Sequence, residues 1–156
     1  RWFKTLDNID ENSQYIPFMA AYYYSMVPDE DRVKVIADYI LEYAQQSPEK
    51  HWRLLTTAAF MYHKYQNNNS TEALKNIGGI LTHIKEIPLW ARILSAFYLN
   101  DSGDVCSAYT LITKISQDDM LTNAENADDK FLVEILEHNI KKLQNIDEKE
   151  LIKCRV

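Results

Sequence analysis

The sequence predicts an all-α fold: an array of about three antiparallel helix hairpins closed by a C-terminal capping helix. Only three Gly and four Pro occur in 156 residues, too few for the tight turns of a many-stranded fold, so a β sandwich or barrel is excluded. Apolar residues recur at three- and four-residue steps, as in Leu54, Leu55, Ala58, Ala59, Tyr62 and Tyr65, while strand-like alternation is absent. Hairpin starts near residues 13 to 17, 48 and 88 repeat at roughly 35 to 40 residues, a period typical of helical arrays. A chain of this length makes one domain with one core.

Each element follows from local signals. All four prolines read as helix entries, because a fixed φ and a missing N–H are tolerated in a first turn and nowhere else in a helix. Pro17, after Asn12 and Ser13, opens an aromatic helix to about Met26. Pro28 leads Asp29, Glu30 and Asp31 into a helix to about Gln46, with acids where the helix dipole favours them. Ser47 is the expected cap for Pro48 and a helix to about Tyr65. The polar loop Asn67 to Ser70 caps a helix from Thr71 to about Glu86, and Pro88 opens another to about Asn100. Ser102, Gly103 and Asp104 cap Val105 to Ser116. A short turn near Asp118 to Leu121 precedes a helix from Ala127 to about Asn145, whose stripe is Phe131, Leu132, Ile135, Leu136, Ile140 and Leu143. The units are therefore 13–46, 48–86 and 88–116, with an acidic cap at 127–145.

A direct test of the period aligns Ala73 with Ala108, an offset of 35 that also pairs Ser70 with Val105, Leu74 with Tyr109, Ile77 with Ile112 and Ile80 with Ile115. A small residue in a hairpin's second helix lets the first approach closely. Gly103-Asp104-Val105-Cys106-Ser107-Ala108, with Ala96 and Leu99 in the preceding helix, resembles the turn and small-residue signature of a tetratricopeptide repeat. Ala59, Tyr62 and Ser70-Thr71-Glu72-Ala73 fit the same frame if the Asn-rich loop carries about two extra residues. The repeat's first-helix Trp is replaced by Leu55 or Arg92, and no Pro closes each unit, so the likeness is one of hairpin architecture. Arg1-Trp2-Phe3-Lys4 has the cation and aromatic mixture of a membrane exit, with an ordinary N-terminal stub as the competing reading. An acidic array behind such a segment is similar to the YfgM-like ancillary subunits of the bacterial Sec translocon. That resemblance implies a membrane anchor upstream of Arg1, a periplasmic domain, and protein partners. A cytoplasmic location is the alternative.

Composition narrows the function classes. The formal charge is −6, and the stretch 117–150, with ten acids and four lysines, accounts for all of it. Such a chain is a poor binder of phosphate backbones, so nucleic acid is not an expected partner. Three scattered glycines exclude Gly-rich phosphate loops. Cys106 and Cys154 form no CxxC and are expected as free thiols, Cys106 as a small core residue, with a disulfide in an oxidising space as the alternative. His51, His63, His83 and His138 fall on separate helices in no metal-binding spacing, and Glu134 with His138 makes at most half a site. No nucleophile elbow is present, so neither enzyme activity nor a cofactor is expected.

The aromatics point instead to binding. Tyr22, Tyr23 and Tyr24 are consecutive and span about 200° of a helix, so at least one faces outward. In the repeat frame the first helices line a concave surface. Hairpin 2 contributes Arg53, Thr56, Phe60, His63 and Lys64, and hairpin 3 contributes Trp90, Ile93, Phe97, Asn100 and Asp101. Aromatics supply apolar contact, and Arg53, His63 and Lys64 suit a carboxylate or polar main chain. A rotation of 100° moves each aromatic into the core, which is the competing reading. Gly78 and Gly79 cost about 1 kcal/mol each mid-helix and imply a close helix approach or a break. The leading expectation is a protein or peptide interaction module, exported and assisting envelope protein transport or assembly. A cytosolic adaptor and a helical domain for a small molecule or lipid are the alternatives.

Overall fold

The computed structural model describes residues 15–24, 26, 29–65 and 70–116, together with Thr5, Ser13 and His138. The proposed acidic cap at 127–145, apart from His138, and the flanking stretches expected at 117–126 and 147–156 lie outside the described residues. Among the described residues, six helices form three hairpins: α1 (Tyr15–Tyr24) with α2 (Glu30–Gln45), α3 (Pro48–Lys64) with α4 (Ser70–His83), and α5 (Leu89–Asp101) with α6 (Val105–Ser116). Among the described residues there is no strand. Each helix packs on the next, and α3 also packs on α5 and α4 on α6. First helices thus lie beside first helices, and α4 lies beside α6, around one core.

Local chemistry sets the boundaries. Asp29 is the N-cap of α2, accepting from the Arg32 N–H at 3.1 Å, with Glu30 and Asp31 in the first turn. Pro48 stands at the start of α3, but the Ser47 side chain makes no capping bond. Its carbonyl instead accepts from Lys50 and His51, so Ser47 acts through its backbone. Pro88 stands one residue before α5, as its N-cap. Helix α4 ends at His83, three residues before the expected Glu86. Proline disfavours helical backbone at the residue before it, and Ile84 and Ile87 in the connection turn inward and are buried. Between α5 and α6, Gly103 has φ 84°, Asp104 N–H reaches Leu99 O at 2.9 Å and Gly103 N–H reaches Asn100 O at 3.1 Å. This pair of bonds is a Schellman motif, and a β-carbon would be strained at Gly103.

The core follows the apolar stripes. Val33, Ile36, Ala37, Ile40 and Ala44 of α2 meet Leu54, Leu55, Ala58 and Ala59 of α3, all buried. Leu74, Ile77, Leu81, Ile93, Ala96, Leu99, Ala108, Ile112 and Ile115 continue the core through the other hairpins. Burying each large side chain contributes roughly 1.5–3 kcal/mol. Two polar groups within it are partnered across helices. The Tyr62 hydroxyl donates to Asp38 across α3 and α2, and burial first, then this bond, holds the phenol protonated far above its ordinary range. Buried Arg92 donates to Thr82 O at 3.0 Å, setting a cation at the C-terminal end of α4, where the helix dipole is negative.

Two sequence expectations are resolved at close range. Gly78 is a close approach: a β-carbon there would lie 2.4 Å from Leu111 Cδ1 and 3.0 Å from Ser95 Cβ. Gly79 has nothing within 4 Å, so only the first glycine is required by packing. Cys106, expected as a free core thiol, is disulfide-bonded. It sits half-buried in the first turn of α6, where it is not needed to fill the core. The other cysteine of the sequence, Cys154, lies outside the described residues.

Candidate peptide-binding strip

Helices α3 and α5 run parallel, and ring contacts fix their register. Trp52 meets Trp90 edge to face at 5.7 Å near one end, and His63 meets Asp101 near the other, with Nε2 to Oδ2 at 3.3 Å. Both pairs are separated by 38 residues in sequence. The eleven residues from Trp52 to His63 rise about 16 Å along the helix, the length of roughly five residues of extended chain.

Along this seam lie most of the residues expected from the sequence. Phe60 and Trp90 are each nearly half exposed, and Phe97 is half-buried with its inner side on the core. The Arg53 guanidinium lies 4.4 Å from the centroid of the Trp52 ring, and Lys64 Nζ lies 5.1 Å from that of Tyr65. Both cations are exposed, one near each end, so aromatic surface is bracketed by positive charge. Asn100 is exposed at the end of α5. Two expectations are corrected: Thr56 and Ile93 are buried. Thr56 turns its hydroxyl back to Arg53 O at 2.8 Å, and Ile93, about 60° round the helix from Trp90 on the side of buried Leu89 and Ala96, fills the core.

His63 is the best-fixed side chain of the strip. Its ring stacks on Tyr98 at 4.2 Å and 5°, Nε2 lies 3.3 Å from Asp101 Oδ2, and Nδ1 is buried without a hydrogen-bond partner. Burial pushes the Tyr98 phenol above its ordinary value, so the ring under His63 stays uncharged. Trp52 and Tyr98 were not among the expected groove residues. The 35-residue offset of the second helices hides them, whereas the 38-residue offset of the first helices maps Trp52 onto Trp90.

Chemically, the strip offers ring faces and edges, two exposed cations and one acid already engaged by His63. Among the described residues no group of three or more His, Cys, Asp or Glu is placed to hold a metal ion. No described helix is long and apolar enough to cross a membrane. Searches of protein-family models, curated proteins and solved structures give no match to this chain.

Proposed function

We propose that the protein is a protein-interaction module, in which the α3/α5 strip captures a short apolar peptide segment that carries acidic groups. The observation that carries this reading is the alignment of Trp52 with Trp90 and of Phe60 and Phe97 along one exposed seam, between the cations Arg53 and Lys64. Aromatic and Arg anchors with a polar rim are the composition of interface hot spots. In the fuller reading the domain is the exported part of a membrane-anchored protein, similar to YfgM-like translocon subunits, that assists envelope protein transport or assembly. The disulfide at Cys106 supports an oxidising compartment over the cytosol.

The test is a peptide library selected on the domain, followed by titration of an enriched peptide, read by fluorescence of Trp52 and Trp90. Trp90→Glu should weaken binding on the order of thirtyfold, as loss of a hot spot of about 2 kcal/mol does, with helical circular dichroism unchanged. Binding that survives Trp90→Glu and Phe97→Glu in folded protein rejects the strip. Thiol alkylation of protein from its native host checks the compartment: no reactive cysteine is expected, and two reactive cysteines contradict export.

A further inference from the structure

The peptide strip has an internal repeat. Arg53 and Phe60 stand seven residues apart on α3, and Trp90 and Phe97 stand seven apart on α5. Seven residues turn a helix to within about 20° of two full turns and rise about 10.5 Å, so each pair shares one helix face. Trp52 is level with Trp90, and His63 with Asp101. The pairs therefore make two rungs across the seam, Arg53 with Trp90 and Phe60 with Phe97. The first rung is a corner: the Trp52 and Trp90 rings meet at 65° with centroids 5.7 Å apart, and the Arg53 guanidinium lies over the Trp52 ring. Its polar groups, the guanidinium and the two indole N–H, are all donors. The second rung is wholly apolar.

Across the middle of α3 and α5 the main-chain N–H and C=O groups are spent within the helices. The strip therefore cannot add a bound peptide to itself as a strand, and the peptide must arrive with its backbone satisfied internally or by water. Repeat length narrows the choice. Side chains on one face of a strand recur at roughly 6.7 and 13 Å, and neither fits rungs about 10.5 Å apart. A helix recurs at i, i+7 with about 10.5 Å, and a polyproline II segment recurs every third residue with about 9.3 Å. The donors of the first rung separate these two. The side of a helix offers no free carbonyl, because each accepts a bond within the helix. Polyproline II leaves every carbonyl unpaired. A proline at the rung also lays a ring in the Trp52–Trp90 corner and brings no N–H of its own to face the donors there.

Resting on the peptide-capture reading of the strip, we infer that its ligand class is a polyproline II segment with two prolines three residues apart. One proline sits in the Trp52–Trp90 corner and the other at Phe60 and Phe97, with an acidic residue beside the first to meet Arg53. Decapeptides selected from a random library on the full chain test this, titrated by tryptophan fluorescence against the wild type, Trp90→Glu and Phe97→Glu, with helical circular dichroism as the check on folding. The expected peptides depend on both rungs, carry prolines at i and i+3, and lose affinity on the order of tenfold when either proline is replaced by alanine. Moving the second proline to i+2 should cost as much, because it then leaves the shared edge of the segment. These changes lie in the peptide, so they are read on wild-type protein even where a rung variant does not fold. Peptides that depend on the rungs but lack the spacing, or that bind equally well with alanine for proline, overturn the inference and leave the strip standing as a peptide site. A library without binders, or binding that survives both folded variants, rejects the strip and the inference with it.

Discussion

Where α4 crosses α5 and α6, backbones approach so closely that Gly78 leaves no room for a methyl group beside Leu111 and Ser95. At the other end of the array, α1 lays two alanines on its neighbours and turns its large rings outward. The contrast teaches that side-chain size is distributed by position in the stack rather than by helix. Interior helices place small residues and glycine at crossings and large aliphatics between them, so specificity there is steric. Among the described residues α1 packs on α2 and α3 through its small side, and Tyr15, Phe18 and Tyr22 are exposed. The α3/α5 strip is intermediate: Phe97 divides its surface between core and solvent, and Phe60 and Trp90 sit on a rigid base.

Substitutions can break this contrast. The largest effect is expected for Leu99→Ala, a fully buried site in α5, which should lose about 2–5 kcal/mol in urea unfolding. Next is the glycine pair. Gly78→Ala should destabilise by about 1–3 kcal/mol, because the Leu111 methyl can rotate away but Ser95 Cβ is fixed to its helix. Gly79→Ala, into open space one residue on, should stabilise by about 0.5–1 kcal/mol. Equal signs for the two would remove the steric distinction.

Two titrations sharpen the account of the interior. His51 stacks on Tyr43 at 4.9 Å, and burial holds its imidazole below the ordinary value of 6.5, against a raising hydrogen bond to Tyr43 and with the Lys50 charge adding to the fall. The neutral ring therefore contributes stability above about pH 6.5, and that contribution is lost as pH falls through the lower folded value. The loss should be absent in His51→Gln. For Asp104, burial raises the carboxyl, but the Lys75 ammonium at 2.9 Å and the Ser107 N–H and hydroxyl outweigh it and hold it below its ordinary value. Its contribution is present above about pH 4 and disappears on further acidification, so Asp104→Asn should flatten that acid limb. The smallest effect is expected at the end face: Tyr22→Ser should change unfolding free energy by less than about 0.5 kcal/mol, since Tyr22 is mostly exposed.

Much of the fold was legible because helix punctuation is local. Asp29, Pro48 and Gly103 act at the helix ends where their side chains or φ preferences place them, and the apolar periodicity marks the buried stripes. Five residues separate α3 from α4, and three separate α5 from α6. What was not legible depends on rotation about a helix axis and on chain distant in sequence. Nothing in a single helix distinguishes buried Thr56 and Ile93 from exposed Phe60 and Trp90, because hydrophobicity alone does not tell a core residue from an exposed aromatic. Tyr98 is recognisable only once His63 is stacked on it. The Cys106 bond joins residues that no local spacing connects.

Site-specific photocrosslinking tests most directly the central claim, that the seam is the peptide-binding surface and not the end face. A p-benzoylphenylalanine replaces Phe60 in one protein and Tyr22 in another, and each is irradiated with a peptide selected on the wild-type domain. The account predicts a peptide adduct from position 60 and none from position 22. A peptide adduct from position 22 with none from position 60 would contradict it.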